Sequence, residues 1–142
     1  MPGGTDALVI STDPSLLDLD LLHRWLSTDA YWALGRSREV VERAVAGSES
    51  FAAYDGDRLV GYARVVTDRA TFAWLCDVYV DPAYRGDGVG TALLEAVHER
   101  LTAWGVKRAM LATQDAHGVY ARFGFRPIAD PGLYMTRGYQ PG

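Results

Sequence analysis

Residues 71–112 contain a strand pattern, a glycine-rich turn, a helix pattern and a second strand pattern, in that order. The apolar segment TFAWLCDVYV, residues 71–80, precedes the turn RGDGVG at 85–90, and the short apolar segment RAMLAT lies at 108–113. Between them, apolar residues recur at the three- and four-residue spacing of an amphipathic helix that ends at Gly105. Two strands joined through one helix pair in parallel with a right-handed crossover. This order restricts the chain to folds with a parallel strand pair covered by a helix.

The chain before this segment predicts one strand, two helices and further strands. ALVIST, residues 7–12, has the pattern of a short strand, and two apolar sets at helical spacing follow, joined by DAYWALGR at 29–36. Ser37 is the predicted N-cap of the second helix and Gly47 its end. SFAAY, LVGYARVV and TFAWLCDVYV, separated by the turns DGD and TDRA, predict three antiparallel strands.

The last part of the chain predicts a short helix and a final strand. The helix would span Asp115 to Arg122, and the strand would lie around Leu133 to Met135. The whole pattern predicts an α/β (α+β) fold, in which helices cover the faces of a mixed, mostly antiparallel sheet.

Length and composition are those of one ordinary globular domain. The chain has 142 residues, 49% hydrophobic and 23% charged, with a formal net charge of −4, so we expect one domain over residues 1–142 and no nucleic-acid partner. Cys76 has no partner for an intrachain disulfide, which favours a reducing cytoplasm and a packing role for this residue. No apolar run is long enough to span a membrane, and MPGGTDALVI lacks the pattern of a secretion signal. We therefore expect a cytoplasmic protein without a membrane partner.

The spacing of the glycine turn excludes two common phosphate-binding loops. A nucleoside-triphosphate loop needs a Lys-Ser/Thr pair after its last glycine, but Gly90 is followed by Thr91 and Ala92. A dinucleotide loop needs glycines spaced G-x-G-x-x-G, and neither Gly86 nor Gly88 starts that spacing. The pattern Arg-x-x-Gly-x-Gly remains, and such a turn can bind a pyrophosphate through backbone N–H groups without a metal.

Two segments resemble motifs of the GNAT superfamily, the acetyl-CoA-dependent N-acyltransferases. VYVDPAYRGDGVGTALLEAV, residues 78–97, is similar to the acyl-CoA-binding motif, and HGVYARFGF, residues 117–125, is similar to the later tyrosine-containing segment. The two occur in the family's order, separated by one helix and one strand. The resemblance implies a sheet of six to seven strands, with a central parallel pair and about four flanking helices. A glycine turn that caps a helix in another α/β protein is the alternative.

The resemblance also implies where acetyl-CoA, the expected co-substrate, would bind. The turn would bind the pyrophosphate through backbone N–H groups, and the strand before it would pair with the pantetheine arm, with the amide near Val78 polarising the thioester carbonyl. The family often has an asparagine seven residues before the tyrosine; Thr113 stands there instead and can hydrogen-bond or cap the next helix. No metal is expected. The predicted cofactor-binding residues are Val78, Tyr79, Val80, Arg85, Gly86, Asp87, Gly88, Val89, Gly90, Thr91 and Thr113.

Tyr120 and Asp77 are the predicted catalytic residues. Tyr120 matches the tyrosine that the family uses as general acid toward the coenzyme sulfur; the alternative is that its ring packs against Phe123 and Phe125. Asp77 is the one polar break in an apolar strand and could act as general base. Alternatively, a bulge turns Asp77 to another face, or Asp77 pairs with an arginine such as Arg64. His23 and His117 are predicted to be structural or exposed.

The resemblance implies that the segment between the first two helices, together with the strand around Phe72 and Trp74, lies over the acceptor pocket. The predicted substrate-binding residues are Tyr31, Trp32, Arg36 and Trp74, with Arg36 able to pair with a substrate carboxylate. An alternative is that Tyr31 and Trp32 only dock the helices on the sheet.

The resemblance implies an N-acetyltransferase for a primary amine of a small molecule or peptide, acting by direct attack in a ternary complex. A homodimer is compatible with this fold. A catalytically silent acyl-CoA sensor is the alternative function, and a nucleotide-binding protein of another fold is a third.

Overall fold

A five-stranded sheet organises the first part of the chain. The computed structural model describes residues 8–139, which form two compact units, one up to Ala112 and one from Thr113 onward. The strand order is β1-β2-β3-β4-β5; the first four strands pair antiparallel and β4 pairs with β5 in parallel. The strands are β1 Leu8–Ser11, β2 Glu49–Asp55, β3 Arg58–Thr67, β4 Phe72–Val80 and β5 Arg108–Met110, and the helices are α1 Leu19–Thr28, α2 Arg38–Ala46, α3 Val89–Trp104 and α4 His117–Ala121.

Helices α1 and α2 pack on one face of the sheet. The Asp18 carboxylate accepts the Leu21 N–H at 3.0 Å and starts α1, and the Ser37 hydroxyl accepts the Val40 N–H at 3.2 Å and starts α2. Gly47 ends α2, so both predicted ends of this helix are confirmed. The buried side chains of this layer are Leu22, Trp25, Leu26, Ala30, Ala33, Val41 and Val45 from the helical segment, with Ala52, Tyr54, Leu59, Tyr62 and Tyr79 from the sheet.

Helix α3 packs on the opposite face, where Gly61 allows a close approach. Tyr62 faces the α1–α2 layer, and successive strand residues point to opposite faces, so Gly61 faces α3. A Cβ at Gly61 would lie 2.7 Å from Val89 Cγ1 and 3.0 Å from Leu93 Cδ1. The absence of a side chain at Gly61 therefore lets the first turn of α3 rest on the sheet.

Strand β4 is bulged and only partly paired. Tyr62 lies opposite Tyr79 and Arg64 opposite Cys76, so β4 carries one more residue than β3 between these pairs. Asp77 lies in this bulge with φ 51°, a backbone conformation that non-glycine residues seldom adopt. On its other side, β4 pairs with β5 only over Phe72–Trp74. The edge of β4 from residue 75 to residue 80 is therefore open in this sheet.

Three features of the predicted fold need correction. The described residues form five strands rather than six or seven, and the segment near Leu133 is a 3-10 turn, Pro131–Leu133. Pro127 and Pro131 each lack an N–H for a strand ladder, which disfavours the expected final strand there. The parallel pair lies at the edge of the described sheet and not at its centre.

The predicted single domain and the predicted first strand can each be compared with the structure only in part. The prediction of one domain over residues 1–142 stays a prediction, and residues 1–7 and 140–142, including Ala7 of the predicted first strand, lie outside the described residues. Over residues 8–139, every helix is too short or too polar to cross a membrane.

Replacement of Gly61 by alanine is expected to destabilise the protein by about 1–3 kcal/mol, since the new methyl group overlaps Val89 and Leu93. Urea unfolding of Gly61→Ala measures this change. Gly47→Ala is the matched control, because a Cβ there makes only an ordinary contact, 3.5 Å from the Arg43 carbonyl oxygen. Equal stability of the two variants would show that α3 does not need the close approach at Gly61.

Candidate active site

The glycine turn ends at a helix N-terminus without a side-chain cap. Gly86 and Gly88 have φ values of 89° and 84°, which glycine adopts without strain. Gly88 is the N-cap residue of α3, and a glycine has no side chain that could accept a hydrogen bond from the first turn of this helix. The first N–H groups of an α-helix have no acceptor within the helix, and the helix dipole makes this end attractive to anions. The turn and the 16-residue helix therefore have the geometry of backbone sites that bind phosphate groups in proteins.

The Arg85 side chain is held by protein groups beside this turn. Its Nε donates to the Val80 carbonyl oxygen at 3.0 Å, and its guanidinium lies 5.2 Å from the centre of the Tyr79 ring. Asp29 accepts a hydrogen bond from the Tyr79 hydroxyl and lies 3.4 Å from an Arg85 nitrogen. Burial, followed by the Asp29 contact, raises the pKa of Tyr79 to about 12. Asp29, which the sequence analysis did not single out, thus ties the turn to the end of α1.

The open edge of β4 leads to this turn. Residues 75–80 have β3 on one side and no described strand on the other, and the strand ends directly before the turn. An unpaired strand edge offers main-chain N–H and C=O groups to an extended ligand. The side chains of Val78 and Val80, which lie on this stretch of β4, are half-buried, and their predicted contact with the coenzyme stays a prediction.

The bulge in β4 brings Asp77 into a cluster of two arginines and a tryptophan. Its Oδ2 accepts from Arg36 at 2.8 Å and from Arg64 at 2.8 Å, while its Oδ1 accepts from Trp32 Nε1 at 2.8 Å. The Asp77 side chain is only 2% exposed. Arg64 also donates to the Ser48 hydroxyl at 2.9 Å. The two alternatives for Asp77, a bulge and a pair with Arg64, are therefore both present in the structure.

These contacts hold Asp77 in its ionised form. Burial alone would raise the pKa of this carboxyl, but the charges and hydrogen bonds of Arg64 and Arg36 outweigh burial and lower it below its usual value of 3.8. A general base at neutral pH works best with a pKa near that pH. The base role of Asp77 stays a prediction, and this electrostatic setting disfavours it.

Exposed aromatic side chains surround this cluster. Tyr31 and Trp32, between α1 and α2, form an edge-to-face pair with ring centres 5.0 Å apart. Trp74 lies opposite Val66 on the sheet face that also carries Arg64, and both remain more than a third exposed. All four predicted acceptor residues thus lie in the first unit, and two of them, Trp32 and Arg36, meet at Asp77.

Cys76 is adjacent to the cluster and remains a neutral thiol at physiological pH. Burial raises its pKa to about 11, although Arg64 acts in the opposite direction. A neutral, half-buried thiol is a poor nucleophile. The prediction of a packing role is consistent with this environment. Over residues 8–139, His, Cys, Asp and Glu side chains form no group of three or more that could hold a metal ion.

The second unit contains Tyr120 and Thr113. Tyr120 lies in α4, and its ring packs edge-on against Phe125 with centres 6.1 Å apart, so the predicted aromatic contact exists. The Thr113 hydroxyl accepts the Ala116 N–H at 3.1 Å, but Ala116 is the N-cap residue of α4 and this helix has no side-chain cap. Thr113 therefore forms the predicted hydrogen bond without capping the helix. The catalytic role of Tyr120 and the coenzyme contact of Thr113 stay predictions.

The two histidines that were predicted to be structural or exposed are found in such settings. In the first unit, His23 Nε2 lies 3.0 Å from the Arg36 carbonyl oxygen, as a structural histidine would. His117 is exposed.

Replacement of Asp77 by asparagine is expected to lower the free energy of unfolding at pH 7 by about 2 kcal/mol or more, because two largely buried guanidinium groups lose their counter-charge. The pKa of Asp77 is lower in the folded protein than in the unfolded chain, where an aspartate titrates near about pH 4. The ion pairs therefore contribute fully to the free energy of unfolding above about pH 4. This contribution is lost as the pH falls through the lower pKa of the folded state. Urea unfolding between pH 7 and pH 3 measures the difference in the free energy of unfolding between wild type and variant.

The gap between wild type and Asp77→Asn should stay constant down to about pH 4 and narrow below it. Asp20→Asn is the control, because Asp20 is 86% exposed and its pair with Arg38 at 3.1 Å contributes little. A gap that widens with acid, or one no larger than that of Asp20→Asn, would contradict the ion-pair account.

Known proteins share both the sequence pattern and the fold. The model of the acetyltransferase (GNAT) family matches residues 19–125. A solved structure from Xanthomonas campestris, described as an acetyltransferase of the GNAT family, is 46% identical with a TM-score of 0.90, covering 100% of this chain and 96% of that one. A Gibberella zeae protein described as an acetyltransferase, FG08082, is 30% identical over 134 residues, covering 80% of this chain and 76% of that protein. The structure of Rv2747 from Mycobacterium tuberculosis, determined in complex with CoA and NLQ, has 23% sequence identity to this chain and a TM-score of 0.69. The match covers 84% of this chain and 72% of that one and shows that the two share a fold. This chain belongs to the GNAT acetyltransferase family.

Proposed function

We propose that this protein transfers an acetyl group from acetyl-CoA to a primary amine of a small molecule or peptide, by direct attack in a ternary complex. The observation that carries this proposal is the open edge of β4, residues 75–80, which ends at a glycine turn and an uncapped helix N-terminus. This arrangement offers main-chain groups to an extended arm and N–H groups to a phosphate. Family membership supports the same chemistry, and the Rv2747 structure was determined with CoA bound.

The residues present fit the coenzyme. Apart from Gly86 and its chain neighbours, no heavy atom of residues 8–139 lies within 4 Å of the position that a Cβ would take at Gly86, which leaves room for a pyrophosphate against the backbone. We propose that the N–H groups from Arg85 to Thr91 bind it, and that Arg85 contributes mainly through its backbone, since Val80 and Asp29 hold its side chain. Val78, Tyr79 and Val80 would pair with the pantetheine arm, Tyr79 by its main chain because its ring is buried.

Acetyl-CoA supplies a thioester whose acetyl group is activated toward an amine. In the β4 bulge, Ala63 alone faces both Asp77 and Val78, so the regular ladder is interrupted at Val78. We assign the Val78 N–H to stabilising the negative charge that develops on the carbonyl oxygen. Tyr120 would hold a proton on its hydroxyl for the leaving thiolate.

Direct transfer is favoured over a covalent enzyme intermediate. Cys76 is the one cysteine of the chain, and burial holds its pKa near 11, so it offers little thiolate at neutral pH. The amine would therefore attack the thioester itself in its neutral form: the C–N bond forms, the C–S bond breaks, Tyr120 protonates the leaving thiolate, and solvent water takes the proton that the nitrogen loses. Asp77, held ionised by two arginines, is poorly suited to take the amine proton. We assign Asp77 to the organisation of the acceptor side instead.

Thiol release from acetyl-CoA in the presence of a panel of amines, amino acids and peptides tests the proposed activity, and calorimetric titration with CoA tests the binding site separately. Turnover with at least one amine, together with CoA binding, is the expected result. CoA binding without turnover on any amine would favour the sensor alternative. Failure to bind CoA would contradict the assignment of the glycine turn and the β4 edge.

Tyr120→Phe is expected to lower kcat by about 100-fold or more while CoA affinity changes little, because only the proton donor is removed. Tyr139→Phe is the matched control, since Tyr139 is 79% exposed and contacts Arg137 through its ring. Steady-state kinetics and CoA titration of both variants make the comparison. An unchanged kcat in Tyr120→Phe would exclude the proton-donor role and leave the ring's packing against Phe125 as its function.

A further inference from the structure

The cluster at Asp77 has one positive charge more than its internal pairs neutralise. Arg36 and Arg64 both bind the one Asp77 carboxylate, and their side chains are only 21% and 14% exposed. Besides Asp77, the titratable groups among the described residues that act on Arg64 are Cys76 and Tyr62. Burial raises the pKa of Cys76 to about 11 and that of Tyr62 to about 12, so both are neutral at physiological pH. Two guanidinium groups and one carboxylate therefore leave a net charge of +1 in a largely desolvated site.

Both arginines also retain unused hydrogen-bond donors. A guanidinium has five N–H donors. Within residues 8–139, Arg36 donates from one nitrogen, Nη1, to Asp77, and Arg64 donates from Nε to Asp77 and from Nη1 to Ser48. The remaining donors, with the surplus charge, are what an incoming anion would need. A planar guanidinium binds a carboxylate with two parallel hydrogen bonds in the most favourable geometry.

The surroundings of the cluster are apolar and partly exposed. Trp74 and Val66 pair across the strands on the face that carries Arg64, and Phe72 lies two residues before Trp74 on that same face. Trp32 donates to Asp77 from the α1–α2 segment while 41% of its surface stays exposed. Exposed rings beside a cationic centre fit a ligand with an anionic group and an apolar body.

The strand register places this cluster beside the proposed site of transfer. Arg64 lies opposite Cys76, the second residue of the open β4 edge, and Trp74 is the last β4 residue that pairs with β5. An anion held at Arg36 and Arg64 would thus lie on the same stretch of β4 as the Val78 N–H. A ligand whose amine and anionic group are separated by only a few bonds could reach both.

We propose that the acceptor is an amino acid or a closely similar compound, an amine that carries a free carboxylate and an apolar or aromatic side chain. Arg36 and Arg64 bind its carboxylate, Trp74 and Val66 contact its side chain, and Asp77 is a positioning residue that orients both guanidinium groups. The single surplus charge matches a carboxylate better than a doubly charged phosphate. This inference rests on the proposed acetyltransferase activity and narrows its acceptor to one chemical class.

Paired substrates test the proposal on the wild-type protein. L-phenylalanine, L-leucine, L-methionine and L-tryptophan are each compared with the corresponding carboxamide, and phenethylamine serves as an amine without an anionic group. At least one free amino acid should be acetylated with a kcat/KM about 10 to 100 times that of its amide, with most of the difference in KM, as expected when a charged hydrogen-bond partner is lost. Equal rates for acid and amide, or turnover confined to amines without a carboxylate, would overturn the proposal.

Variants test the assigned residues through the ratio of kcat/KM for acid and amide. Arg36→Gln should reduce this ratio to near 1, Arg36→Lys should restore part of it, and Asp77→Asn should reduce it because the arginines lose their orientation. Arg38→Gln is the matched control, since Arg38 binds Asp20 and Glu42 at the surface. A variant of the cluster that loses acid and amide activity equally, with its folding confirmed by thermal unfolding, would contradict carboxylate binding.

The same assays separate this proposal from the proposed activity. Acetylation of other amines combined with rejection of every free amino acid would refute the acceptor class and leave the acetyltransferase intact. CoA binding without turnover on any amine would refute both, and CoA titration of each variant shows whether the coenzyme site has been damaged.

Discussion

The ion-pair cluster at Asp77 connects the parts of the structure that form the candidate site. Its carboxylate binds Trp32 and Arg36 from the α1–α2 segment and Arg64 from β3, while Asp77 itself lies in the bulge of β4. Regular alternation after Cys76 would place the Asp77 side chain on the face covered by α3. The bulge turns it toward the α1–α2 layer instead, and the same interruption alters the ladder at Val78. One local irregularity would thus serve both the acceptor side and the coenzyme side of the proposed site.

Strand β4 has a different environment along each of its edges and faces. One face carries Tyr79 in the layer under α1, and the other lies toward α3, whose first turn rests on Gly61. One edge pairs with β3, and the other is open after Trp74. The open edge exists because β5 is only three residues long. A longer β5 would bury the main-chain groups that the proposed function assigns to the coenzyme, so the shortness of this strand is consistent with binding there.

The sequence predicted what depends on neighbouring residues and missed what depends on distant ones. Ser37 and Gly47 bound a helix through local hydrogen bonds, and the glycine turn follows from residue type and spacing, so these predictions were confirmed. The pairing of Asp29 with Tyr79 joins residues 50 positions apart, and no periodicity signals it. The final strand near Leu133 was wrong because an apolar triplet resembles a strand until the nearby prolines are weighed. Arg64, an isolated charge in an apolar strand, was a usable signal for the cluster.

Stability alone does not account for the composition of this cluster. Two guanidinium groups that are 14% and 21% exposed share one carboxylate, and burying charge costs free energy unless the charges balance. A hydrophobic residue at Arg64 would suit the neighbouring strand positions, which are buried and apolar. Structures that violate the local rules of folding tend to do so at functional sites, because the cost is offset elsewhere in the fold. An unbalanced positive charge beside the proposed acceptor site is such a violation, and an anionic group on the proposed acceptor would balance it.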